Sequence, residues 1–207
     1  MNIFAPKQFL NVSGFALSDI FEEIPVVWEA ISKIEKFVKL SLSKKLPKRN
    51  VFVGKGTVVE KGAFVKGPAI IGKNCFIAHG AYIRENVIIG DNVKIGHACE
   101  IKNSIILNNT HIAHFNYIGD SVIGNNVNFG AGAITANFRL DGKNVFVRNN
   151  SLKIDSKLLK FGAIVGDGTK IGVGAVLNPG TVLGKNCVVY PLINVFGLYT
   201  DNKVIKK

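Results

Sequence analysis

The chain has three cysteines, one methionine, one tryptophan and only 14 acidic residues among 207. Each shortage excludes something. An odd cysteine count without a CxxC spacing argues against a disulfide framework and against a zinc site, so no metal is expected. No apolar run approaches the ~20 residues that span a bilayer. The first ten residues lack a basic segment followed by a long apolar core, so no secretory signal is expected and the expected location is cytoplasmic. Against the few acids stand 26 lysines and arginines, a formal net charge of +12, concentrated in Lys33 to Arg49 and at Lys203, Lys206 and Lys207. No nucleic-acid-binding motif or aromatic-and-basic strand pattern accompanies them, so nucleic acid is set aside as a partner. A solvated surface, or attraction of anionic small molecules or a membrane surface, remains open.

What the chain does have is a six-residue beat. Val53, Val59, Val65, Ile71, Ile77, Ile83, Ile89, Ile95, Ile101 and Leu107 are aliphatic at every sixth position. Neither a helical period nor plain strand alternation produces this; a solenoid that turns a corner every hexad does. Three places after each start stand residues such as Gly56, Pro68, Asn74 and Asn86, suited to bends. One place further, a small-residue slot holds Thr57, Ala63 and Ala81, and also Cys75, Cys99 and Cys187, which therefore read as small buried hydrophobes. The expected fold is all-β, a left-handed parallel β-helix with a small N-terminal helical cap.

Residues 1–50 lack the beat. Ser18 and Asp19 suit the start of a short helix, and Pro25 the first turn of a second with Trp28, Ile31, Ile34, Phe37 and Val38 on one face. This piece is expected to cover the first coil; a basic helix lying on a membrane is the rival reading. The β-helix is expected over 51–192, with a register break at 113–122 and a polar, basic insertion at 137–162. Residues 193–207 read as a basic tail.

If three hexads make one coil, residues 18 apart stack about 4.8 Å from each other. Lys66, Arg84 and Lys102 then form a column of like charges, beside a column of Gly54, Gly72 and Gly90. An anion would relieve that repulsion. His114 lies in the register break with Asn116, Tyr117 and Asp120, and imidazoles ionise near neutral pH, as a general base requires. His79, His97 and His111 read as structural.

The stretch Glu100 to Phe138, EIKNSIILNNTHIAHFNYIGDSVIGNNVNFGAGAITANF, resembles the acetyltransferase domain of the bifunctional N-acetylglucosamine-1-phosphate uridyltransferase/glucosamine-1-phosphate acetyltransferase family. The likeness covers Val51 to about Pro191 and rests on EIK, HFNYIGD and NVNFGAG as well as on the hexads. KFGAIVGDGTKIGVGAVLNPGTVLG looks more like the C-terminal helix of related sugar-phosphate nucleotidyltransferases. The resemblance implies a homotrimer and acetyl-CoA as co-substrate. The acceptor would be an amino-sugar 1-phosphate, glucosamine 1-phosphate first, in synthesis of the UDP-N-acetylglucosamine type. It implies His114 as general base, Arg84, Lys102, Tyr117 and Asn128 as sugar-phosphate contacts with Lys143 as a further one, and Ala131 and Asn137 near the thioester.

The family's coenzyme-touching serine and alanine fall at Asp167 and Lys185, a departure on the coenzyme side. No glycine-rich nucleotide loop precedes the solenoid, so uridylyl transfer by this chain alone is not expected. A non-catalytic partner of a separate nucleotidyltransferase, or an acetyltransferase on another sugar, are the alternatives. Lys102 and His114 belong to different corners of a regular coil, which implies a site shared between subunits.

Overall fold

Three parallel sheets of eight, eight and seven strands wall a triangular prism. The computed structural model describes residues 3–45, 50–149 and 151–206; the end of the basic run at 46–49 and Lys207 of the tail lie outside them. The chain visits the first, second and third flank in turn, so each strand pairs with the strand one coil away and not with its neighbour in sequence. This is the left-handed parallel β-helix the beat predicts. Val53, Ile71 and Ile89 stack in register at 18-residue spacing, as do Val65, Ile83 and Ile101. Asn74, Asn86 and Asn92 take positive φ at the corners. All three cysteines are free and buried, and burial pushes each thiol pKa upward.

The beat slips earlier than expected. Ile106, not Leu107, stands over Ile89, five residues after Ile101. A second five-residue step separates Ile118 from Ile123, inside the expected 113–122 break. Serines stitch both short corners. Ser104 Oγ donates to Lys102 O (2.7 Å) and accepts from Ser121 N (3.1 Å). Ser121 Oγ donates to Gly119 O (2.7 Å) and accepts from Ala163 N (3.0 Å). Residues in these coils therefore stack at 17 and not 18.

The helical piece does not close the end of the solenoid; it lies along the first flank. Strands such as Ala69–Ile71, Val87–Ile89 and Ser104–Ile106 are buried on both faces. Their central residues, Ile70, Ile88 and Ile105, pack outward into a second core with Trp28, Ile31 and Ile34. An apolar stripe of this length needs a cover, since each fully buried aliphatic side chain is worth about 1.5–3 kcal/mol. The cover comprises α1 (Pro6–Phe9), one 3-10 turn (Ser18–Phe21) and α2 (Glu29–Lys45). The Glu35–Lys39 pair closes at 2.5 Å on the outer face of α2.

An amide and carboxylate ladder on the first-to-second corner holds the arm before α2. Asn108 Nδ2 donates to Gly14 O, Asn125 Nδ2 to Asn11 O, and Asp167 Oδ2 accepts from Asn11 N. Close approach of the next coil explains the glycine column: a Cβ at Gly54 would meet Gly72 O at 2.5 Å, one at Gly72 would meet Asp91 Oδ1 at 2.4 Å, and one at Gly90 would meet Asn108 Oδ1 at 2.3 Å.

One boundary also differs from expectation, and the insertion has structure of its own. Residues 193–207 are not a tail: Asn194–Val195, Leu198–Tyr199 and Val204–Ile205 add strands to the three sheets. Tyr199 follows Val195 by only four residues, which hides the beat. The 137–162 insertion carries a two-stranded antiparallel hairpin, Phe146–Arg148 with Lys153–Asp155. Its Val145, Val147 and Phe161 are fully buried in the flank cover, so it serves packing as well as surface.

Candidate active site

The cation column exists, but it is already neutralised. Lys66, Arg84 and Lys102 follow one another up the third flank through the registers Val65↔Ile83↔Ile101. Lys66 Nζ lies 3.1 Å from Glu85 Oε2, and Arg84 bridges Glu85 (3.2 Å) and Glu100 (2.8 Å). Lys102 Nζ lies 3.1 Å from Asp120 Oδ2. Three cations thus face three carboxylates, so relief of like-charge repulsion no longer requires an external anion. Burial alone would push the Glu85 carboxyl up; its own backbone N–H, Lys66 and Arg84 outweigh that and hold it down at about 2. Arg84 Nε is buried with no partner among the described residues.

The column stops at Gly119, which stands over Lys102. A Cβ there would meet the Tyr117 hydroxyl oxygen at 2.5 Å, because the phenol folds over that position. Asn137 Nδ2 donates to the Tyr117 hydroxyl (3.1 Å) and to Asp120 Oδ2 (2.5 Å), while Asn103 Nδ2 donates to Asp120 Oδ1 (2.8 Å). Asp120 is 3% exposed and sits at φ +47 on the second short corner. The structure therefore gathers Lys102, Tyr117 and Asn137 around one buried carboxylate, with Arg84 one coil away. Burial, then the charges of Asp120 and Glu100, push the Tyr117 phenol pKa above its usual value.

Sequence reasoning set Asp120 beside His114 and not beside Lys102, and gave Glu85, Glu100 and Asn103 no role. Asp120 lies 18 residues after Lys102, the spacing of a regular coil; because this coil is one residue short, Gly119 takes the place over Lys102 and Asp120 sits on the corner beside it.

His114 is elsewhere. It occupies the second-to-third corner, exposed, and its carbonyl accepts from Gly132 N (2.8 Å), which brings Ala131 beside it one coil on. Because this coil holds 17 residues, His114 continues the corner of His79 and His97 and does not stand apart from them. Those two stack with ring centroids 5.7 Å apart, each Nδ1 against a carbonyl: His79 on Lys61 O (2.9 Å), His97 on His79 O (2.7 Å). Asn128 lies on the second flank, paired between His111 and Lys170. Lys143 is exposed in the insertion, its N–H donating to Asp141 Oδ1. Asp167 and Lys185 hold the N-terminal arm: Asp167 through Asn11, and Lys185 Nζ through Lys7 O (3.3 Å). Within one chain Arg84, Lys102, Tyr117 and Asn137 thus gather at one end of the third flank and His114 and Ala131 at the other, with Asn128 and Lys143 in neither group.

Fold and repeat define this chain as a hexapeptide-repeat β-helix protein. Residues 65–161 match the family described as the GMPPB C-terminal domain, and residues 162–190 match the hexapeptide repeat of succinyl-transferase. The chain is 46% identical over 171 residues to the bifunctional protein GlmU of Methanococcus maripaludis, covering 79% of this chain and 41% of that protein. It is 36% identical over 172 residues to GlmU of Methanococcus aeolicus, with the same coverages of 79% and 41%. The chain thus spans about two fifths of the length of these relatives. Among solved structures, the N-acyltransferase AntD of Bacillus cereus, determined with dTDP and coenzyme A, aligns at 16% identity with a TM-score of 0.46, over 78% of this chain and 83% of that one.

Proposed function

We propose that the chain is an acyltransferase of sugar-nucleotide synthesis, moving acetyl from acetyl-CoA to the amine of an amino-sugar 1-phosphate, glucosamine 1-phosphate first. The observation that carries this reading is the convergence of Lys102, Tyr117 and Asn137 on Asp120 in a chain 46% identical over 171 residues to a bifunctional GlmU. A protonated amine cannot attack a thioester, so a base must take its proton. His114, exposed at its corner, is that base. An ammonium offers three donors, so Lys102 can hold a phosphate while it keeps Asp120. Arg84 aids it, and Tyr117 and Asn128 orient the sugar. Ala131, small and beside His114, leaves room for the thioester, and Asn137 stabilises the developing oxyanion, a role worth about 3 kcal/mol. Lys143 is a further phosphate contact. Attack by the amine expels the coenzyme thiolate directly, and no acyl-enzyme is needed.

About five residues separate His114 from the level of Gly119 above Lys102, roughly 16 Å along a strand, which is too far for one small sugar. The reading therefore includes a homotrimer in which one subunit's His114 corner meets another's Lys102 group, and a cytoplasmic location. The test is release of free CoA by purified protein with and without glucosamine 1-phosphate. No release with any amino-sugar phosphate sinks it.

One observation favours a second reading. Residues 65–161 match a C-terminal domain family, and the chain spans only 41% of its GlmU relatives. A non-catalytic partner of a separate nucleotidyltransferase would co-purify with that enzyme and release no CoA.

A further inference from the structure

The third-flank cations are matched by carboxylates; those of the second flank are not. One outward row there reads Lys94, His111, Asn128 and Lys170, each in direct register with the next. All four are exposed, and among the described residues no carboxylate lies within ion-pair distance of Lys94, His111 or Lys170. Asp91 and Asp167, three residues before Lys94 and Lys170, and Asp201 on the same corner are engaged on backbone instead. Asp91 accepts from Lys73 N (2.7 Å), Asp167 from Asn125 N (2.7 Å) and Asp201 from Lys185 N (2.8 Å).

On the far side of the inward residues, Gly96, Ala113, Gly130 and Gly172 form a low trough. Coil-to-coil packing fixes that smallness, since a Cβ on Gly172 would meet Pro191 N at 2.4 Å. This line of small residues runs between the lysine-ended row on one side and the His114 and Ala131 corner on the other. Three residues separate His111 from His114, about 10 Å along the strand.

We propose that Lys94, His111, Asn128 and Lys170 form a strip that recognises phosphoryl groups, laid beside the transfer site; this rests on the acyltransferase reading. The row carries a lysine at each end with the His111 ring and the Asn128 amide between them, and with no ion-pair partner these groups together suit an extended anion. The row covers three inter-strand steps, about 14 Å, longer than a single phosphate and matched to a ligand with several phosphoryl groups. The acyl carrier is such a ligand and the sugar monophosphate is not, so the carrier is the first occupant to test.

Titration calorimetry with coenzyme A and, separately, with pyrophosphate compares the native chain with a Lys94→Ala, Lys170→Ala double variant. Both side chains are exposed, so the variant keeps the native melting temperature, and Lys36→Ala on α2 serves as a control. The expected result is coenzyme binding at least fivefold weaker in the double variant, with pyrophosphate binding lost. In acetyl transfer, KM for acetyl-CoA rises by a similar factor while KM for the sugar phosphate holds. A rise confined to the sugar phosphate keeps the strip and makes that phosphate its occupant. Equal affinities of the native and variant chains for all phosphoryl ligands overturn the strip. Strip-dependent pyrophosphate binding without any acetyl transfer leaves the strip standing and removes the acyltransferase reading, so the two failures are distinct.

Discussion

Lys102 Nζ and Asp120 Oδ2 meet at 3.1 Å across a corner that is one residue short, and Asp120 is 3% exposed. The carboxylate also takes Asn103 and Asn137, so it anchors three donors at once. A buried charge is tolerable only when its partners are complete. Asp120→Ala strands all three, and a loss of about 3 kcal/mol is expected in urea unfolding. Asp120→Asn keeps the shape and some hydrogen bonding and should lose about 1–2 kcal/mol. Equal urea midpoints for the native chain and Asp120→Ala would show the pair to be idle.

Glu85 makes the acid response predictable. Its folded pKa lies at about 2, below the ordinary carboxylate value of 4.5. A depressed folded pKa stabilises the fold above the unfolded value, and that contribution disappears as pH falls from about 4.5 toward 2. At about 1.4 kcal/mol per pKa unit the contribution is on the order of 3 kcal/mol, reduced by the carboxylate's partial contact with water. Glu85→Gln removes it. The variant should unfold more easily than the native chain at pH 7, and the difference should shrink on acidification to pH 2. A constant gap at every pH would mean that the carboxylate's ionisation plays no part.

His114→Ala separates chemistry from folding. The imidazole is exposed, so its removal leaves no cavity. A general base contributes about 10²–10⁴-fold to rate. Acetyl transfer by the variant should fall by at least 10²-fold while its far-ultraviolet spectrum and melting temperature match the native chain. Unchanged turnover would exclude His114 as the base.

Much of the fold was legible, because inward aliphatic residues at fixed spacing are what a coil requires. The slips were not, because Ile105, Ile106 and Leu107 are all aliphatic and each could serve as a hexad start. Ile106 points inward, while Leu107 joins the outer core. That one-residue ambiguity hid one fact about the site, that His114 continues the corner of His97; the pairing of Lys102 with Asp120 followed from the plain 18-residue spacing and went unused. The Arg84 and Lys102 column was readable since it precedes both slips. The flank cover also had a visible sign that went unused: doublets such as Ile70–Ile71, Ile88–Ile89, Val122–Ile123 and Val182–Leu183 recur once per coil. Two successive apolar residues in a strand face opposite ways, so one of each pair must be buried from outside.

The same doublets give a test of where the helical piece sits. Ile88 and Val58 both point out of the solenoid, but Ile88 is fully buried under the cover and Val58 is 52% exposed on the second flank. A cover over the end of the prism would leave Ile88 as open as Val58, and lysine would be tolerated at both. A cover along the flank forces Ile88→Lys to bury a charge with no partner, at a cost of several kcal/mol. Val58→Lys should stay within about 0.5 kcal/mol of the native chain, as exposed substitutions generally do. Ile88→Lys is therefore expected to lower the melting temperature sharply and to bind a hydrophobic dye as α2 detaches, while Val58→Lys does neither. Matching melts for the two variants would place the helices away from the flank.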